Sequence, residues 1–243
     1  MLAVALGCLP AYASSVVVEA TTDIWLAGQA SGATVTGFFG TDTAPANSPI
    51  GIAVSGGDTL TFINVLDAAN GVSVDGSCFD TTPDAGACYA DEYGDSPGSA
   101  NGISLAHLPA GALVGVFVAA GGPSGSAPTA LDFTSGGIGT GFATLSPELD
   151  QLFFIGDGLT GTGTGSVQDF IAPTGAGTLY LAVSDSVGAA GNNLGSISAN
   201  VNDVPEVSAA PEPGTLSLVG LGMVGMALAA NFAQRRARTD AGL

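Results

Sequence analysis

The stretch Ser184–Ser196, SDSVGAAGNNLGS, gathers residue types that bind a hard cation. Asp185 offers a carboxylate and Asn192 and Asn193 offer amide oxygens. Gly188, Gly191 and Gly195 free the backbone to turn carbonyls inward. Calcium takes six to eight oxygens in a flexible cage, and this loop supplies about five, leaving places for water or a ligand. The same residues also make an ordinary Asn-Gly turn. The loop therefore reads either as a calcium site or as a plain hairpin.

Other chemistry is thin. His107 is the single histidine and stands beside Leu108-Pro109. No Gly-x-Ser-x-Gly nucleophile elbow accompanies it. Asp91, Glu92, Glu148 and Asp150 are the residue types that glycoside hydrolases pair. Their spacing does not say whether any two face each other, and ADEYGDSPGS reads as a solvated acidic loop, or as a second calcium loop built on Asp91, Glu92 and Asp95. GDG at Gly156–Gly158 and GTGTG at Gly161–Gly165 lack the Lys and the following helix of a phosphate loop, so they read as turns. The expectation is a binding or structural protein rather than an enzyme.

Charge narrows the partner. The chain carries 3 Lys and Arg against 21 Asp and Glu. All three cations are Arg235, Arg236 and Arg238, and Ser14–Pro211 has none. A body of that sign repels phosphate, which excludes nucleic acid, nucleotides and anionic lipid as favoured ligands. Divalent cations and neutral sugars fit it, and so does a plain role in solubility.

Short strands must hold the loop. Apolar runs of strand length recur between turn residues at Val16–Ala20, Thr34–Phe39, Thr59–Val65, Leu113–Ala119, Leu152–Ile155, Val167–Ile171, Leu179–Val183 and Ser196–Val201. Ile24 and Leu26 flank Trp25 in a further strand-like run, which places Trp25 in the core. No long amphipathic helix precedes residue 211. This predicts an all-β fold, a β-sandwich or jelly-roll-like domain over 14–201, with long Gly-rich loops at 66–107 and 120–150. Asn202–Ala210 reads as a polar spacer.

Both ends look like addresses. A short apolar run leads to Ala11-Tyr12-Ala13, a small-x-small pattern that places a signal peptide over 1–13. No basic residues precede the run, so the start codon is expected upstream. Cleavage there leaves Cys78 and Cys88, an even pair in an export context and hence an expected disulfide. Thr215–Ala233 approaches the roughly 20 apolar residues of a membrane-spanning helix. The arginines behind it stay cytoplasmic, leaving 239–243 as a cytoplasmic tail.

Pro211-Glu212-Pro213, then the apolar run, then Arg235, Arg236 and Arg238 resemble the PEP-CTERM sorting signal of Gram-negative bacteria. The resemblance covers roughly the last thirty residues, 211–238. It implies an exosortase as processing enzyme, anchorage in the inner membrane before processing, and a final place at the cell surface or in an exopolysaccharide-rich biofilm matrix. The β domain is thus expected to be followed by a single C-terminal transmembrane helix, a transient or permanent anchor in the inner membrane.

The middle of the chain resembles the calcium-dependent galactophilic lectins of the PA-I type. Asp185, Gly188, Gly191, Asn192, Asn193, Gly195 and Ser196 match the family's loop in spacing, QDFIAPTGAGTLYLAVSD its preceding strands, and GDTLTFINVLDAANG an upstream strand and loop. The resemblance implies calcium held by the side chains of Asp185, Asn192 and Asn193 and by the backbone oxygens of Ala189 and Asn70, with neutral carbohydrate completing the shell. Sugar contacts would come from Asp185, Asn193 and Asn101. Val187, Ala190 and Leu194 depart from the family's Pro, aromatic and Ser. The stretch Gly98–Gly102 lacks its His and Gln.

Overall fold

The computed structural model describes residues 12–89 and 98–204. Nine strands make its two main sheets: β1 Tyr12–Glu19, β2 Ile50–Ala53, β3 Thr59–Asp67, β4 Leu113–Ala119, β5 Thr144–Leu145, β6 Leu152–Phe154, β7 Asp169–Ile171, β8 Ala176–Val183 and β9 Ser196–Val204. One sheet runs β1-β9-β3-β7-β5 and the other β6-β4-β8-β2. Pairing is antiparallel except between β5 and β7. The all-β expectation holds, since the described helices are single 3-10 turns.

A continuous apolar run marks a strand covered on both faces. LVGVFVA of β4 is such a run, and it lies between β6 and β8. One side of its sheet meets the other sheet through a chain of rings. Phe117 stacks on Phe153 with centroids 5.2 Å apart, Phe153 meets Phe170 of β7 at 5.6 Å, and Phe170 meets Phe62 of β3 at 5.3 Å. Rings so placed contribute about 0.5–1.5 kcal/mol per pair beyond their buried area. Trp25 is buried, and its indole N–H donates to the Ser104 carbonyl at 3.2 Å.

β3 alternates until it bulges. Leu60 and Phe62 face the core; Asn64 then takes φ +51°, and the register to β9 shifts between Ser198 and Asn200. The extra residue resets the phase, so Val65 is buried and Asp67 follows on the inner side.

Several boundaries move. Trp25 sits in a 3-10 turn, Ile24–Leu26, because Asp23 caps it through the Trp25 N–H. The Thr34–Phe39 run is a strand only over Thr34–Thr36 and then turns back into Thr41–Thr43. The loops expected at 66–107 and 120–150 contain short pairings, Ser99–Ala100 with Ile103–Ser104 and Ala106–His107 with Leu131–Asp132. GTGTG does form a turn, between Leu159–Gly161 and Thr164–Val167. β9 continues through Val204, three residues into the stretch that composition assigns to the spacer. β1 begins at Tyr12, so Ala13, the last residue of the expected signal peptide, pairs with Asn202. Residues 1–11 and the segment 205–243, with its sorting signal and apolar run, lie outside the described residues. Among the described residues no helix is long and apolar enough to cross a membrane.

Candidate functional site

The loop 184–195 leaves β8 from a fixed point. Ser184 is buried; its hydroxyl donates to the Pro109 carbonyl at 2.7 Å and accepts the Ala112 N–H at 2.9 Å. Asp185 is therefore presented in one orientation. Two turns follow, Ala189 N–H to the Ser186 carbonyl and Asn193 N–H to the Ala190 carbonyl. Gly188 has φ +71°, and a Cβ there would lie 2.7 Å from the Gly40 carbonyl. Only glycine meets both the backbone angle and the close approach. Leu194 then pairs with Ser73, and β9 begins.

Two distant carboxylates clamp this loop. Asp42 accepts the N–H groups of Ala190 at 2.7 Å and Gly191 at 3.0 Å. Asp23 accepts those of Trp25 at 2.9 Å and Gly188 at 3.0 Å. Burial pushes Asp23 up to about 7 against the pull of those N–H groups, and neighbouring Asp42 adds to the rise.

Asp185 and Asn193 are different. Asp185 is 6% exposed and Asn193 3%. Asp185 Oδ1 accepts the Ser186 N–H at 2.6 Å, and the Asn193 amide N–H donates to the Ala20 carbonyl at 3.1 Å. Asp185 Oδ2 and Asn193 Oδ1 are buried acceptors with no hydrogen-bond donor. Burial raises Asp185 to about 6; the Ser186 N–H and the adjacent Asn193 side chain pull it down, and the charges of Asp42 and Asp75 push it up. Asp75 itself is held well below the usual range, first by the Ser77 hydroxyl and then by the Tyr89 hydroxyl and the N–H groups of Ser77 and Cys78.

Asp185, Ala189 and Asn192 line one cavity of about 270 Å³, together with Phe39, Val74, Asp75 and Tyr89. The structure thus brings together three residues of the expected ligand set, with Asn193 adjoining through Asp185. Asn70 is not among them. It lines a separate cavity of about 480 Å³ with Phe79, Leu194 and Gly195. Nor does Asn101 line the Asp185 cavity: its amide donates to the Trp25 carbonyl at 3.1 Å and the Thr34 carbonyl at 3.3 Å. Asn101 thereby ties the N-terminal segment down. Among the described residues no group of three or more His, Cys, Asp or Glu is arranged to hold a metal ion. A cation here would depend on amide and carbonyl oxygens beside the carboxylates of Asp185 and Asp75.

Sequence reasoning missed Asp23, Asp42, Asp75, Phe39 and Tyr89. One signal was present. A body without Lys or Arg must meet its buried carboxylates with N–H groups, hydroxyls, water or an external cation, or hold them protonated. Cys78 and Cys88 are joined in a disulfide, which fixes the neighbours of Asp75 and Tyr89.

The remaining candidates sit elsewhere. His107 Nδ1 lies 3.5 Å from Asp132 Oδ1, and both line a cavity of about 560 Å³ with Ser99 and Thr129. Asp132 is held below the usual range first by the Thr134 hydroxyl, then by the Thr134 N–H and His107. Asp150 is buried and accepts the Ser124 N–H and hydroxyl, while Glu148 is exposed. Asp91, Glu92 and Asp95 lie outside the described residues.

Among the curated proteins and among the solved structures, nothing matches the chain. Residues 209–236 match the PEP-CTERM protein-sorting motif. That span contains Pro211, Glu212, Pro213, Arg235 and Arg236, with Arg238 just beyond it. The chain therefore carries a PEP-CTERM sorting motif over these residues, which supports an exported protein sorted with an exosortase as processing partner.

Proposed function

We propose that the body, once exported, is a calcium-dependent binding module for neutral carbohydrate at the cell surface or in the extracellular matrix of a Gram-negative bacterium. The observation that carries this reading is the pair of buried acceptors without donors, Asp185 Oδ2 and Asn193 Oδ1, in a body with no Lys or Arg to meet them. Two such oxygens destabilise a fold by about 1–3 kcal/mol each unless a cation or water meets them. Ala189 and Asn192 line the same cavity as Asp185, and Asn193 adjoins Asp185, so four residues can each offer an oxygen there beside the carboxylate of Asp75. A hard cation of six or more ligands then keeps about two positions for vicinal hydroxyls of a sugar. The acidic field favours a neutral ligand such as an exopolysaccharide.

A second reading is favoured by the Asp23 and Asp42 clamp, which fixes the loop without any metal. In that reading the protein is a structural matrix component, and calcium only stabilises it. A neutral-glycan array read with calcium and with EGTA separates the two. Calcium-dependent binding of any neutral glycan supports the module, whereas a calcium-raised melting temperature without glycan binding supports the structural reading. A melting curve indifferent to both millimolar calcium and EGTA removes calcium from either.

A further inference from the structure

Thr34–Thr36 and Thr41–Thr43 form a hairpin whose tip is Gly37-Phe38-Phe39-Gly40. Val35 and Asp42 are paired across it and both are buried, so its base is part of the fold. The tip is equally fixed. A Cβ on Gly37 would lie 1.7 Å from the Val187 carbonyl oxygen, and one on Gly40 2.7 Å from that of Gly188. Asp42 holds Ala190 and Gly191 from the same hairpin. Two backbone contacts and a carboxylate clamp thus lock the tip onto the loop that carries Asp185.

What the locked tip displays is two phenylalanines in water. Phe38 is 95% exposed and Phe39 68%. Their centroids are 5.0 Å apart and their planes 86° apart, so they offer two faces nearly at right angles. Leaving a Phe side chain exposed forgoes about 1.5–3 kcal/mol of burial. Single exposed apolar residues are ordinary on a surface. An adjacent pair on a rigid tip, with one member lining a polar cavity, calls for a ligand.

The cavity states the ligand's chemistry. Phe39 shares it with Tyr89, Asn192, Asp185 and the low-pKa carboxylate of Asp75. An anion finds no cationic side chain there. A ligand must combine hydroxyls with an apolar ring face, as a pyranose does. A lipid surface fits less well, because two phenylalanines flanked by Thr36 and Thr41 stand beside acidic groups with no Lys or Arg to meet a headgroup.

We propose that Phe38 and Phe39 are the stacking platform of an extended neutral glycan, one sugar ring lying on Phe39 in the Asp185 cavity and the next against Phe38 outside it. This deepens the carbohydrate reading above and rests on it. The platform also sets chain-length specificity: Phe39 serves every ligand and Phe38 only those of two or more rings.

The test uses the purified full chain and calorimetric titration with galactose, glucose and mannose and their di- and tetrasaccharides. Wild type should bind a tetrasaccharide more tightly than its monosaccharide. Phe39→Ala should weaken all members of the bound series about tenfold. Phe38→Ala should leave the monosaccharide unchanged and remove the tetrasaccharide's advantage. Both substitutions are at exposed side chains, and both variants should keep the wild-type melting response to calcium. Glycan binding that ignores both substitutions, or wild-type protein that binds none of these sugars, overturns the platform even where the calcium response is intact. Phenylalanine-dependent binding to neutral phosphatidylcholine vesicles in place of sugar overturns it as well. Phenylalanine-dependent sugar binding with no calcium response keeps the platform and removes the calcium reading alone.

Discussion

Asp23 and Asp42 on one side and Asp185 with Asn193 on the other grip the same loop and are buried to the same degree, yet they are satisfied in opposite ways. The first pair accepts four backbone N–H groups, from Trp25, Gly188, Ala190 and Gly191. The second accepts one, from Ser186, and leaves two acceptors without donors. A charged acceptor that receives amide donors stabilises its loop, whereas an unmet one destabilises it. The clamp therefore stabilises the fold, whereas the Asp185 pair, like the buried oxygens of Asp67, costs it stability unless water or a cation meets them.

The largest test breaks the clamp. Asp42→Ala strands the N–H groups of Ala190 and Gly191 and should lower unfolding free energy by about 3–5 kcal/mol in urea titration, from two charge-assisted bonds and their buried donors. An effect below about 1 kcal/mol would mean that water replaces the carboxylate. Reducing the disulfide should act less, by about 2–3 kcal/mol for so short a loop. It should also loosen the cavity wall, since the Cys78 N–H bonds Asp75 and Tyr89 follows Cys88. Tyr89 hydrogen exchange or fluorescence quenching with and without reductant reports that loosening.

The pH response comes next. Asp23 and Asp67 are raised to about 7 and Asp185 to about 6, in each case first by burial; Asp80 and Asp84 add to Asp67. Carboxyls raised on folding contribute stability that is complete below about pH 4 and is lost as pH climbs through 6 to 7. In EGTA the melting temperature should therefore fall by several degrees between pH 5 and pH 8. Calcium should restore only the part that belongs to Asp185. A melting temperature that rises with pH over this window would contradict the burial of these groups.

The smallest effect has the opposite sign and sharpens the contrast. Asp185→Asn removes a buried charge and brings an amide donor near Asn193 Oδ1. Without calcium it should be neutral or stabilise by about 1 kcal/mol, while the calcium response disappears. Loss of several kcal/mol in EGTA would show that Asp185, like Asp42, is a clamp.

The sequence alone determined the parts that rest on local chemistry. Strand runs such as Leu113–Ala119 were legible because an apolar run of that length has few other uses. The Asp185–Gly195 turn was legible because glycine and asparagine are required wherever the backbone turns sharply. The export address lies in consecutive residues, and the match at 209–236 agrees with it. Tertiary structure decided the rest. Asp23 reaches Gly188 across 165 positions and Asp42 reaches Ala190 across 148, contacts that no local pattern encodes. They exist because β9 lies between β1 and β3, which carries the C-terminal loop to the N-terminal hairpin. The same topology put Phe39 into the cavity and left Asn70 and Asn101 outside it. A residue's type states what it can bind, and only the packing of distant strands decides what it meets.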